Sequence, residues 1–255
     1  MANLKIQSLS LHIEGKTLCR DLNVQVGENE RWGLLGKNGA GKTTLLHALI
    51  GQRRADQGSI ELDGISVYDI KQRELASKVG ILFQQGIGAL PATVFETVLL
   101  GRHPHTQSLL WDDPKDIEIA ESALAAFDLG QLKERAVESL SGGELQRLAL
   151  AMLLAQTPQL FLLDEPSNHL DVAFQVKLLS VLTNKVAETS ASLIMATHDI
   201  NLAFRFCENI ILLLEDGESL VGSSNDVLTE NNLSQAYGCN IKSVSNGEHK
   251  LFYPA

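Results

Sequence analysis

Four short apolar runs stand out along the chain: RWGLL (31–35), GILFQ (80–84), PQLFLLDEP (158–166) and SLIMATHD (192–199). Each reads as a buried strand that stops at polar residues, because a run of this length bounded by charged or turn-forming residues is too short for a buried helix. Longer amphipathic stretches separate them. Alternation of the two kinds of segment predicts an α/β fold around a mainly parallel sheet. After Leu35 a glycine-rich turn leads into a helix predicted from about Lys42 to Ile50. A second helix is predicted in DDPKDIEIAESALAAF (112–127), with Asp113 as cap, Pro114 at the first helical position, and Ile117, Ala120, Leu124 and Phe127 forming a core-facing stripe.

Composition narrows the class. The chain has 255 residues, 44% of them hydrophobic, enough for one large domain or two intimate subdomains. With 21 basic and 31 acidic residues the formal charge is −10, which argues against a general grip on nucleic acid, since that grip neutralises phosphates with Lys and Arg. Cys19, Cys207 and Cys239 are odd in number and lack metal-ligand spacing, as expected of reduced thiols in a cytoplasmic protein. MANLKIQSLS lacks a secretion-signal pattern, and no apolar run approaches the ~20 residues needed to cross a bilayer.

The strand ends carry the candidate chemistry. GKNGAGKTT (36–44) has the spacing G-x-x-x-x-G-K-[ST] between a strand and a helix. In such a loop the backbone N–H groups from Gly36 through Lys37, Asn38, Gly39, Ala40 and Gly41 to Thr44 can wrap a β-phosphate, aided by the helix N-terminus. Lys42 would reach the β- and γ-phosphates, and Thr43 would ligate Mg²⁺. DEP alone reads equally well as an acidic turn. Beside a phosphate loop, Asp164 would hold the Mg²⁺ shell, directly or through water, and Glu165 would act as general base on the attacking water. The same sheet edge would bring His198 near the γ-phosphate, and Gln84 near both Mg²⁺ and the water. LSGGE (140–144) is a second glycine-rich helix entry, in which Ser141 offers a hydroxyl, Gly142 and Gly143 allow close backbone approach, and a helix beginning around Glu144 aims its dipole at an anion. One nucleotide cannot easily occupy two cradles of one chain. A twofold dimer lets each chain lend one and receive the other.

With GKNGAGKTT, LFQ, LSGGE, LFLLDEP, SNHLD and MATHD in this order, the chain resembles the ATP-binding subunits of ATP-binding-cassette transporters from end to end. The resemblance implies a P-loop NTPase (RecA-like) core with a mainly parallel sheet, an antiparallel β subdomain and an inserted α-helical subdomain. Residues 1–84 and 156–230 would form the core, 85–155 the helical part with the signature, and 231–255 a tail packing Leu233 and Tyr237 on the core. It further implies ATP and Mg²⁺ as ligands and a head-to-tail homodimer. There Ser141, Gly142, Gly143 and Glu144 would cover the γ-phosphate of the partner, with Asp171 at the dimer axis. His169 departs from the smaller residue often found beside that loop and reads as surface packing. Where the family usually stacks adenine on an aromatic residue, LHIEGK offers His12 and Ile13.

The Gln84 loop and TVFETVLLGRHPH (93–105) would form the groove that receives a helix of transmembrane permease subunits. His103 and His105 lack further ligands in register for a metal. That segment and the tail VLTENNLSQAYGCNI (227–241) are similar to importers of metal chelates, meaning ferric siderophores, cobalamin and haem, with a substrate-binding protein delivering the cargo. The expected place is the cytoplasmic face of the inner membrane, peripheral through the permease, with no nucleic-acid partner. A soluble non-transport ATPase of the iron–sulfur assembly type, or an importer of another cargo, is the alternative. A small-molecule kinase would leave LSGGE unexplained.

Overall fold

The computed structural model describes residues 3–84, 91–106, 113–167, 170–246 and 249–255. The chain opens with a hairpin, β1 (Leu4–Ile13) and β2 (Lys16–Val26), closed by the two-residue turn Glu14–Gly15. Both turn residues have positive φ, 48° and 81°, the turn whose twist matches that of its flanking strands. β3 (Arg31–Leu35) then feeds α1 (Lys42–Leu49), one residue shorter than expected because Ile50 is its C-cap. β4 (Gln57–Leu62) and β5 (Ile65–Ser66) complete an antiparallel sheet of order β2-β1-β4-β5. α2 (Gln72–Lys78) leads to β6 (Val79–Leu82), and the α-helices α3 (Val94–Leu100), α4 (Pro114–Ala126) and α5 (Gly142–Ala155) follow.

The chain then alternates β7 (Leu160–Asp164), α6 (Val172–Thr189), β8 (Ser192–Ala196), α7 (Ile200–Phe206) and β9 (Asn209–Leu213). β10 (Ser219–Ser223), the short α8 (Ser224–Val227), α9 (Glu230–Tyr237) and a hairpin of β11 (Ile241–Asn246) with β12 (His249–Pro254) end it. The main sheet has the order β10-β9-β3-β8-β7-β6, parallel except at β10. This is the α/β architecture expected from the sequence.

The central parallel strands of that sheet, β3, β7, β8 and β9, are buried on both faces, which is why they are largely continuous apolar runs. Leu35, Phe161, Leu163, Leu193 and Met195 face a core shared with α3 to α6. Leu34, Leu160, Leu162, Ile194 and Ala196, the alternate positions, face a second core shared with α1 and the antiparallel sheet. One sheet therefore holds the two halves together.

α4 departs from its expected stripe. Ala120, Ala123, Leu124 and Phe127 are buried, but Ile117 is only half-buried and lies outside the core, whereas Asp116 is buried. The reason is an ion pair: Arg102 Nε donates to Asp116 Oδ1 at 2.8 Å, and Arg102 Nη1 to Ala155 O at 2.7 Å and Thr157 Oγ1 at 2.9 Å. A buried charge needs such a full set of partners, and supplying it rotates α4 so that Asp116 takes the inward position. Cys19 and Cys207 are buried and Cys239 is exposed, all three unpaired.

Candidate active site

The phosphate loop is shaped by close approach. Gly41 has φ +103°, and a Cβ there would sit 2.8 Å from Leu18 Cβ, so no other residue fits. Gly41 is also the N-cap of α1 and supplies no side-chain cap, which leaves the first-turn N–H groups free for an anion. Lys42, buried, donates from Nζ to Gly36 O at 2.9 Å and lies 3.9 Å from Glu165 Oε1. Burial lowers its pKa, opposed by the charges of Glu165 and Asp164.

Thr43 Oγ1 donates to Asp164 Oδ2 at 2.6 Å. Asp164 Oδ1 is buried with no hydrogen-bond partner, and a carboxylate oxygen in that position calls for a ligand. Hydroxyl and carboxylate oxygens suit a hard divalent cation such as Mg²⁺, so these residues fit one. Among the described residues no group of three or more His, Cys, Asp or Glu could hold a metal. A cation here would draw its remaining ligands from water and phosphate, the usual habit of Mg²⁺.

Glu165 is buried, with φ +52°, a left-handed conformation that costs a non-glycine residue about 1–3 kcal/mol. Its amide donates to Ala196 O at 2.9 Å, which holds the turn against β8. Its Oε2 lies 2.8 Å from His198 Nδ1, so the carboxylate sits between the Lys42 ammonium and the imidazole. Strain held at the end of a strand aims this carboxylate out of the sheet edge.

A cavity of about 550 Å³ lies over these groups. Asn38, Gly39 and Gly41 through Thr44 line one wall, Asp164 and Glu165 the floor, Gln84 one side, and Ile13, Lys16 and Leu18 of the first hairpin the other. Ile13 thus lines the cavity and His12 does not: the His12 amide donates to Asp56 Oδ2 at 2.7 Å, and its ring faces the same carboxylate. Lys16, absent from the sequence reading, donates from Nζ to Gly39 O at 2.8 Å. Only the tight Glu14–Gly15 turn, which folds β2 back over the loop, could have pointed to it.

The second glycine site stands apart. None of Ser141, Gly142, Gly143 or Glu144 lines the cavity. Its helix begins at Gly142, two residues earlier than expected, because Ser141 is the N-cap: Ser141 N–H and Oγ–H both donate to Glu144 Oε2 at 2.7 Å, and the Glu144 amide returns to Ser141 Oγ at 3.4 Å. This capping box holds the Glu144 carboxyl below its ordinary range, chiefly through the Ser141 amide. A Cβ on Gly142 would meet nothing within 4 Å. Asp171 likewise caps α6, its Oδ1 accepting from Phe174 N at 2.8 Å, and Val172 beside it is exposed. Two glutamines missed in the sequence link these parts: Gln146 Nε2 donates to Pro166 O at 3.1 Å, tying the α5 helix to the Glu165 turn, and Gln175 Nε2 donates to Ser167 O at 3.1 Å. His169 and most of the Gln84 loop lie outside the described residues.

Residues 19–168 match the family described as ABC transporter. The chain belongs to that family. It is 36% identical over 242 residues to the hemin import ATP-binding protein of Gloeobacter violaceus, covering 92% of this chain and 87% of that protein. The ferric enterobactin transport ATP-binding protein of Escherichia coli is 32% identical, covering 93% of this chain and 88% of its own length. Among solved structures, a metal-chelate type ABC transporter in an inward-facing conformation aligns with TM-score 0.84 at 27% identity over 100% of this chain and 98% of that one. A dimeric ATP-binding cassette in a post-hydrolysis state, bound to ADP and Pi, aligns with TM-score 0.75 at 27% identity, covering 87% of this chain and 98% of that one. The protein is therefore an ABC ATPase, an ATP-binding subunit with a P-loop NTPase core.

Proposed function

We propose that this ABC ATPase powers uptake of a metal chelate, of the ferric siderophore, haem or cobalamin kind, through a membrane permease. The observation that carries the catalytic reading is the row Lys42, Glu165 and His198, the first two buried and the histidine exposed, with 3.9 Å between the first two and 2.8 Å between the last two. In it a carboxylate that lines the cavity of about 550 Å³ is held between a fixed cation and an imidazole.

ATP binding would draw Lys42 from the Gly36 carbonyl onto the β- and γ-phosphates, a charge-assisted exchange. Thr43, Asp164 and Gln84 would hold Mg²⁺, which supplies charge neutralisation on the phosphate oxygens. Glu165 takes a proton from a water whose oxygen bonds to the γ-phosphorus while the bond to the β,γ-bridging oxygen breaks; ADP and phosphate leave. His198, oriented by Glu165, touches the γ-phosphate and fixes the water.

Ser141 to Glu144 open outward rather than into their own cavity, which supports a homodimer in which each signature covers the partner's nucleotide and Asp171 lies near the joint. Closure of two such sites would be passed to the permease, which would hold the protein peripherally on the cytoplasmic face of the membrane. A binding protein would deliver scarce, bulky cargo to that permease. The chelate class rests on the relatives, whose names cover hemin, ferric enterobactin, iron(3+)-hydroxamate and cobalamin. A strain deleted for the gene, supplied in turn with limiting ferric siderophore, haem or cobalamin, is expected to lose uptake of one of them. Normal uptake of all three, with a defect for a sugar, amino acid or lipid, overturns the cargo class and leaves the ATPase chemistry intact.

A further inference from the structure

The outward-facing signature and the loop at Asp171 are joined through one aromatic residue. Phe174 stands in the first turn of α6, and its amide is the group that donates to Asp171 Oδ1 at 2.8 Å. Its ring packs on the edge of the main core, and two cations lie over it: the Arg147 guanidinium of α5, 5.3 Å from the ring centre, and the Lys177 ammonium of α6 at 6.0 Å. Both distances are within the reach of a cation–π contact. Each cation is also held from the end of α4, Arg147 Nη1 donating to Phe127 O at 3.4 Å and Lys177 Nζ to Asp128 Oδ2. Phe174 therefore holds Asp171 by its backbone and the signature helix by its ring, through an arginine one turn beyond Glu144.

Two glutamines close the same joint. Gln146, beside Arg147, donates to Pro166 O at 3.1 Å; Gln175, beside Phe174, donates from Nε2 to Ser167 O and to Leu170 O, both at 3.1 Å. None of Gln146, Arg147, Phe174 or Gln175 lines the cavity over the phosphate loop. Packing at the edge of a core asks for apolar bulk, which a leucine supplies. A ring face turned to a guanidinium adds a directional contact between two helices that bulk alone does not give.

We propose that Phe174 is a positioning residue for the shared nucleotide site: it locks the signature helix to Asp171, so that Ser141 to Glu144 and Asp171 meet the partner's nucleotide as one piece. This rests on the reading that both elements act across a homodimer. Because the lock lies outside the subunit's own cradle, its loss shows in turnover and not in nucleotide binding by a single subunit.

Phe174→Leu keeps apolar bulk in the joint and removes the ring face. Phosphate release at saturating Mg-ATP is expected to fall about fivefold, the scale of one cation–π contact, while the dissociation constant of a fluorescent ATP analogue, measured on dilute single subunits, stays at the wild-type value. Phe174→Tyr restores the face and should restore turnover. Full turnover in Phe174→Leu, a parallel loss of ATP affinity, or a tyrosine variant as slow as the leucine one overturns the proposal. A double-mutant cycle with Arg147→Gln tests the contact itself. With no guanidinium over the ring, Phe174→Leu should slow Arg147→Gln no further; losses that multiply mean that the two side chains act independently, and overturn it. Phe174→Met serves in the same cycle if the leucine variant fails to fold. Full turnover in Ser141→Arg would instead fail the reading of the shared site.

Discussion

Among the described residues, the α-helices α1 and α5 both carry a glycine at their start, and their N-termini are finished in opposite ways. At Gly41 the chain itself builds the surroundings: Leu18 packs on the glycine, Lys42 is buried, and Thr43 is already bonded to Asp164. At Ser141 the cap is satisfied by Glu144 alone, and the space over Gly142 is open. The first is a cradle preorganised within one subunit, so its substitutions should act on binding or on chemistry inside that subunit. The second is a stable, outward-facing terminus, so its substitutions should act on what approaches from outside.

Glu165→Gln should give the largest effect, since a general base is worth about 10²–10⁴ in rate. Steady-state phosphate release is expected to fall by that order while ATP binding persists, because the amide keeps the side chain's shape beside Lys42 and His198. Unchanged turnover would remove Glu165 from the chemistry. Ser141→Arg comes next, with turnover down about 10²-fold, the order lost when aligned donors at a developing anion are removed. ATP binding to one subunit should survive. A mixed dimer sharpens the comparison: with Lys42→Ala in one chain and Ser141→Arg in the other, one composite site loses both halves and the other stays whole. Crosslinks that instead place Ser141 beside the phosphate loop of its own chain would break it. Lys42→Ala should weaken ATP binding about 10- to 100-fold, the scale of a charge-assisted hydrogen bond in a buried place. Wild-type affinity in that variant would count against the cradle.

The difference also explains what the sequence could reveal. Spacing fixes local chemistry, so GKNGAGKTT, LFLLDEP and LSGGE announce their strands, turns and helix entries in the sequence itself. The continuous apolar run LFLLD is legible because β7 is covered on both faces. Long-range polar partners leave no such trace. Nothing near Asp116 foretells Arg102, and so the stripe of α4 was misplaced by a residue at its start. Gln146 reads as an ordinary surface residue of a helix until its bond to Pro166 O is seen. Lys16 is one lysine among many until a two-residue turn folds it over Gly39. The capping box at Ser141 was spelled out as S-x-x-E, yet the pull of the glycines toward an anion site obscured that Ser141 itself starts the helix.

The smallest expected effect lies at the other end of the cavity, where the chain leaves its cradle least finished. Phosphate groups would meet loop amides, Lys42 and Thr43, but the wall that faces the first hairpin offers the aliphatic side chains of Ile13 and Leu18. His12 does not line this wall; its amide donates to Asp56 and its ring faces the same carboxylate. A base resting on Ile13 gains dispersion and some burial, without the stacking that an aromatic face adds, worth about 1–3 kcal/mol per base in nucleic-acid sites. Ile13 is half-buried at a hairpin end, so the low end of that range applies and Ile13→Tyr should tighten ATP about fivefold. The same change should widen the preference for ATP over CTP, since a purine offers the larger face, whereas Lys42→Ala weakens all nucleoside triphosphates alike. Equal affinities for ATP before and after the substitution would mean that the base does not lie over residue 13, and that the cavity grips its ligand through the phosphates alone.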